Sequence, residues 1–153
     1  MKIKSILEKK GSDVYSIPAD GTLKDMVKEM LGRSIGSLLV LHDDGSLAGI
    51  ITERDFLHNV SLNADSWQSI CIGDVMIKKV LTATPDETID EVMSRMTRNR
   101  IRHMPVVDSN KVVGVLSIGD IIFASLDETT FQNEIMKRYI KDWPGEEAES
   151  AAR

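Results

Sequence analysis

The feature that most constrains this chain is an internal repeat that spans most of its length. The segment Val14-Tyr-Ser-Ile-Pro-Ala-Asp-Gly-Thr-Leu23 lies over Val80-Leu-Thr-Ala-Thr-Pro-Asp-Glu-Thr-Ile89, so that Val14 meets Val80, Asp20 meets Asp86 and Thr22 meets Thr88. At the same offset Met30 meets Met96, Ile35 meets Ile101 and Val40 meets Val106. One residue is then dropped in a loop, after which Gly49 meets Gly114, Thr52 meets Ser117 and Asp55 meets Asp120. The repeat covers Val14–Val60 and Val80–Leu126, and a weaker likeness links Ile3–Lys10 with Ile72–Lys79. A unit of about 50–60 residues buries too little surface to stand alone. The repeat therefore predicts one domain with internal pseudo-two-fold symmetry, its two copies packed face to face over one shared core.

Within each copy the order of elements is the same. Leu23, Met26, Val27, Met30 and Leu31 recur at helical spacing, as do Ile89, Val92, Met93 and Met96. Asp20 and Asp86, or Thr22 and Thr88, are placed to cap these helices. Short apolar runs at Ser37–Leu41 and Met104–Val107 read as buried strands, followed by the turn signals Asp43-Asp44-Gly45 and Asp108-Ser109-Asn110. Second strands at Leu47–Thr52 and Val112–Ser117 lead into helices that start near Arg54 and Gly119. The fold class is α/β in the broad sense (α+β), built from two β-α-β-β-α motifs. The first motif is assigned to residues 1–62 and the second to 63–126, with a linker at 61–69. Residues 127–153 form a C-terminal helix and tail, in which Phe131, Ile135, Met136, Tyr139 and Ile140 make an apolar stripe, Trp143-Pro144-Gly145 ends the helix and Glu146–Arg153 is a polar tail. The stripe is expected to cover either its own module or a second subunit.

Composition narrows the class. Apolar residues make up 42% and charged residues 28% of 153, which excludes collagen-like and disordered chains. The longest uncharged apolar stretch, around Ile35–Leu41, is far short of the ~20 residues that span a bilayer. The first ten residues hold no apolar run of signal-peptide length, and a lone Cys71 points to a reducing, cytoplasmic setting. A net charge of −5 does not invite nucleic acid or an anionic membrane. The basic run Arg95–His103 is short, has no interleaved aromatic residues, and reads as a solvated helix end. His42, His58, His103 and Cys71 lack metal-ligand spacing, and no Walker loop or G-x-G-x-x-G is present.

With its Gly49-Ile-Ile-Thr-Glu-Arg-Asp55, Gly114-Val-Leu-Ser-Ile-Gly-Asp120 and Ile101-Arg-His-Met-Pro-Val-Val-Asp108 segments, the chain resembles the cystathionine β-synthase (CBS) domain family, in the tandem arrangement called a Bateman module. One departure is Leu39, which stands where the second copy has Pro105. The family binds adenosine-containing ligands such as AMP, ATP, NAD or S-adenosylmethionine, and regulates attached or partner proteins.

The hydroxyl–x–x–carboxylate turns, Thr52 to Asp55 and Ser117 to Asp120, fit two compatible roles. Each is a variant of the capping box. Each also puts a hydroxyl, free backbone N–H groups and a carboxylate at a helix N-terminus, where a phosphate and the two hydroxyls of a ribose can be met. The resemblance implies that each cleft is built across the copies. The first cleft would combine Thr52, Arg54 and Asp55 with Val80, Leu81, Arg102 and His103. The second would combine Ser117, Gly119 and Asp120 with Val14, Tyr15, Gly36 and Ser37. Since arginine forks favour phosphate, the first cleft is expected to be the phosphate-rich one, and the second to be empty or to hold a less charged group. The expected function is a stand-alone regulatory module that binds an adenine nucleotide, AMP first and NAD or ATP next. It would need no catalytic cofactor, would form a homodimer and would signal to an unidentified regulated protein by conformational change. The competing readings are a structural dimerisation module with vestigial clefts and a nucleotide-processing enzyme. The sequence offers no obvious nucleophile or metal cage for the latter.

Overall fold

In the computed structural model, which describes residues 1–139, the chain runs α1 (Ile3–Lys10), α2 (Leu23–Arg33), β1 (Ser37–Leu41), β2 (Leu47–Thr52) and α3 (Glu53–Leu62). A single 3-10 turn, Trp67–Ser69, lies in the linker, and α4 (Ile72–Val75), α5 (Ile89–Asn99), β3 (His103–Asp108), β4 (Lys111–Ser117) and α6 (Ile118–Tyr139) follow. The cap choice falls on the threonines. Thr22 N–H donates to Asp25 Oδ2 at 2.9 Å and Thr88 N–H to Glu91 Oε2 at 2.9 Å, while each threonine hydroxyl accepts from the acid's own N–H. Both helices end on a non-glycine residue in the left-handed region, Ser34 at φ 54° and Arg100 at φ 53°, so the repeat extends to the strained caps.

The strands make two separate antiparallel hairpins, β1–β2 and β3–β4. Ser37 faces Thr52 across the first, and His103 faces Ser117 across the second. The strand expected ahead of each first helix shrinks to one parallel bridge, Ser16 to Leu39 and Ala83 to Val106. Pro18 and Pro85 follow within two residues and lack the N–H that would lengthen the ladder.

The single shared core expected from the repeat is in fact two cores, linked by an exchange of segments. Leu23, Met26, Met30, Leu38, Val40 and Ile51 of the first copy are closed by Ile72, which precedes the second copy. Ile89, Val92, Met96, Met104, Leu116 and Ile121 of the second copy are closed by Ile3 and Ile6 of α1. The backbone repeats the exchange: Ile3 N–H donates to Glu87 O and Lys4 N–H to Pro85 O, while Ile72 N–H donates to Gly21 O and Gly73 N–H to Ala19 O, all at 2.9 Å. Neither core is drawn from one copy of the repeat alone. Burying Ile3 completely is worth about 1.5–3 kcal/mol, which a single copy forgoes.

The strand glycines mark where the exchanged segments land. A Cβ on Gly49 would lie 2.7 Å from Met76 Sδ and 2.8 Å from Ile77 O, and one on Gly114 would lie 2.7 Å from Leu7 Cδ2. Helix α6 runs unbroken through Leu126, where an extension was expected to begin, because no glycine or proline follows Gly119 within it. The side chains of Phe131, Ile135, Met136 and Tyr139 lie outside the described residues, as do Ile140, the Trp143-Pro144-Gly145 stop and the polar tail. Among the described residues no helix is long and apolar enough to cross a membrane.

Candidate functional site

A cavity of about 330 Å³ opens between the copies, within the size range of small-molecule sites. Five of the seven residues assigned to the second cleft line it: Tyr15, Gly36, Ser37, Ser117 and Asp120. On the first copy's side, the parallel bridge between Ser16 and Leu39 holds Tyr15 against β1. Leu39 N–H donates to Tyr15 O at 3.1 Å, and Ile17 N–H donates to Leu39 O at 2.9 Å. Opposite, β4 delivers Ser117 to the first turn of α6. Ser117 N–H donates to Asp120 Oδ2 at 2.8 Å and Asp120 N–H to Ser117 Oγ at 3.1 Å, so the capping role of the pair is real. Val14 is half-buried and Gly119 exposed, and neither lines the cavity.

The first cleft is not brought together in the same way. Of its residues only His103 lines any of the three principal cavities, and that cavity is the second cleft. The reason is register: His103 pairs directly with Ser117 across β3–β4, so the imidazole travels with the second cleft. Thr52 and Asp55 form their own box, with Thr52 N–H and Oγ1 donating to Asp55 Oδ2 at 2.8 and 3.1 Å. Arg54, Leu81 and Arg102 are exposed and Val80 is half-buried. Among the described residues, Arg54 and Arg102 line none of these three cavities.

Three charged residues in or beside the second cleft were missed from sequence, along with the lining residues Ser34, Ile35, Leu39 and Val115. Lys10 reaches in from α1 and donates to Asp120 Oδ2 and to Val115 O, each at 2.7 Å. Asp13 lines the same wall. Arg33 lies outside the lining but holds the rim, its guanidinium 4.6 Å from the Tyr15 ring centroid and its Nε donating to Glu29 Oε2 at 3.0 Å. Burial alone would raise the Asp120 carboxyl, but the Lys10 ammonium and the Ser117 N–H and hydroxyl outweigh it and hold the group below its usual range. Burial lowers His103 and outweighs the pull of Glu53 and Asp120, with Arg102 and Lys10 adding to the depression. At neutral pH the cleft thus holds Asp120 as a carboxylate paired with Lys10, beside an uncharged His103 imidazole. Among the described residues no group of His, Cys, Asp and Glu is arranged to hold a metal ion.

The CBS domain pattern matches residues 3–62 and 72–127. The mitochondrial CBS domain-containing protein CBSX3 of Arabidopsis thaliana is 37% identical over 126 residues, or 80% of this chain, which spans 61% of that relative's length. Among solved structures, the CBS-domain containing protein ATU1752 from Agrobacterium tumefaciens superposes with a TM-score of 0.78 at 30% identity, covering 82% of this chain and 99% of the other. The CBS domain pair of protein MJ0100, solved in complex with 5′-methylthioadenosine and S-adenosyl-L-methionine, superposes with a TM-score of 0.73 at 26% identity, covering 84% and 98%.

Proposed function

Since the chain belongs to the CBS domain family as a tandem pair, we propose that it is a regulatory module whose second cleft binds an adenine nucleotide, AMP first and NAD or ATP next. The observation that carries this reading is the inter-copy cavity, where Asp120 stands at the N-terminus of α6 facing Tyr15, Gly36 and Ser37 of the other copy. The carboxylate accepts from ribose hydroxyls. Tyr15, fixed on one side by Arg33, offers aromatic surface to the base beside Ile35 and Leu39. The MJ0100 pair, with two adenosine compounds bound, supports the ligand class.

The same reading includes a homodimer. Met26, Val27, Met30, Leu31, Ile35, Phe56 and Leu57 line an apolar groove between α2 and α3, where Leu31 is 77% and Leu57 66% exposed. Ile122, Phe123 and Leu126 are exposed on α6. A second copy covers these surfaces, and nucleotide binding biases the dimer's shape for a partner protein to read. The single Cys71 fits a reducing compartment, the cytoplasm in this reading.

The test is thermal denaturation with AMP, ATP, NAD and adenosine, on the wild type and on Asp120→Ala. Ligand at a hundred times Kd stabilises by about 2.7 kcal/mol, a readily measured rise in Tm. The proposal expects that rise in the wild type and its loss in Asp120→Ala. A dimer that no nucleotide stabilises would favour the purely structural module instead.

A further inference from the structure

The position of Lys10 in the second cleft carries a statement about which ligand the cleft accepts, and it rests on the nucleotide reading above. Lys10 is the last residue of α1, and Gly11, at φ +93°, turns the chain away immediately after it. The ammonium does not point along its own helix end. It crosses to the other copy, where Nζ donates to Asp120 Oδ2 and Val115 O, both at 2.7 Å. Lys10 and Asp120 are both partly shielded, with side chains 34% and 25% exposed. In the other copy, among the described residues, Asp55 is met by Thr52 and not by a lysine. Lys79, which the weaker repeat sets over Lys10, makes no matching bond to Asp55 among the described residues, so the lysine–carboxylate pair forms in one cleft only.

We infer that Lys10 is the specificity-determining residue of the second cleft and selects a nucleoside bearing a phosphate over an uncharged or cationic adenosine compound. The carboxylate that a ribose must reach is already paired. A ligand whose hydroxyls take Asp120 leaves the ammonium with a weakened partner inside a shielded cleft, which is unfavourable. A phosphate on the same ligand gives that ammonium a new charge-assisted partner within reach of the cavity wall. A neutral nucleoside supplies no such partner, and a sulfonium adds a second cation beside the first. Lys10 thus performs, from the exchanged helix, the phosphate role that arginines 54 and 102 were expected to fill in the first cleft.

The experiment titrates the full chain with AMP, adenosine and 5′-methylthioadenosine, following the His103 ring resonances, which report this cleft. It is run on the wild type, Lys10→Met and Lys10→Arg. Lys10→Met keeps most of the apolar stem, and its Tm establishes that α1 stays docked. The expected result is that Lys10→Met weakens AMP about tenfold or more while adenosine and methylthioadenosine hold or tighten. Lys10→Arg keeps the preference for AMP. Raising salt from about 0.05 to 0.5 M weakens AMP in the wild type and has much less effect in Lys10→Met. Equal weakening of AMP and adenosine in Lys10→Met, or unchanged AMP affinity, would overturn the assignment while leaving the nucleotide site standing. A wild-type protein that binds none of the three overturns the nucleotide reading and this inference together.

Discussion

Substituting alanine for Gly49 and, separately, for Gly114 probes the exchange of segments that joins the two cores. The repeat makes these positions equivalent, yet the structure makes their costs different. At Gly49 the new methyl would lie 2.7 Å from Met76 Sδ, 3.0 Å from Met76 Cγ and 2.8 Å from Ile77 O. Met76 can swing aside, but the Ile77 backbone is held, with Ile50 N–H donating to Ile77 O at 3.0 Å and Ile77 N–H donating to Ile50 O at 2.9 Å. Relief therefore requires a backbone shift that strains two hydrogen bonds. Overpacking of about 1–3 kcal/mol plus weakened hydrogen bonds gives a loss of about 2–4 kcal/mol for Gly49→Ala. At Gly114 the obstacles are Leu7 Cδ2 at 2.7 Å, Cδ1 at 3.1 Å and Cγ at 3.5 Å, all on a half-buried side chain that can rotate. Part of that cost is offset by the lower backbone entropy of alanine in the unfolded chain, so Gly114→Ala should lose about 1 kcal/mol or less. Urea unfolding of both variants, read at constant m, gives the two numbers. If Gly114→Ala proves as costly as Gly49→Ala, or more so, the account of what each glycine faces is wrong.

Further expectations concern the core and pH. Ile3→Ala and Ile72→Ala should each cost about 2–5 kcal/mol, although each residue lies outside the copy whose core it closes; a loss below 1 kcal/mol for Ile3→Ala in urea unfolding would place α1 outside the core. His103 titrates lower in the folded chain than its ordinary 6.5, so the unfolded chain takes up the proton first as pH falls. The stability tied to the neutral imidazole is thus fully present above about pH 6.5 and is lost as pH drops from there through the folded value. His103→Gln should flatten this part of the stability–pH curve, and an unchanged slope would refute the burial argument. For the dimer, Leu57→Asp should convert a species of twice 17.0 kDa to the monomer in sedimentation, and a wild type that sediments as a monomer at tens of micromolar would remove the interface.

Local patterns reported local structure well. The hydroxyl-to-acid spacing at Thr52 and Ser117 marked the starts of α3 and α6, apolar periodicity with Thr22 and Thr88 among the candidate caps marked α2 and α5, and the alternation of strand and turn signals marked both hairpins. What local pattern does not encode is which copy a short flanking segment joins. Ile3 and Ile6 look like the start of the first copy, and their partners Ile89 and Leu116 lie far along the chain. The weak likeness between Ile3–Lys10 and Ile72–Lys79 was the only trace of this exchange. The same blindness hid Lys10, whose contacts with Val115 and Asp120 span more than a hundred residues. The carboxylate box of Ser117 and Asp120 was legible as a motif, whereas its pairing with the opposing strand start came only from the family resemblance. The placing of His103 was not: the resemblance assigned it to the first cleft, and only the His103–Ser117 register carries it to the second.

The central claim is that an adenine nucleotide occupies the cavity between the copies. Its most direct test is an amide chemical-shift map of the isotope-labelled chain on addition of AMP. The account predicts saturable shifts that cluster at Tyr15, Gly36, Ser37, Ser117 and Asp120, with the His103 ring moving in step. Saturable shifts confined to other surfaces, or a spectrum that AMP leaves unchanged at millimolar concentration, would contradict it.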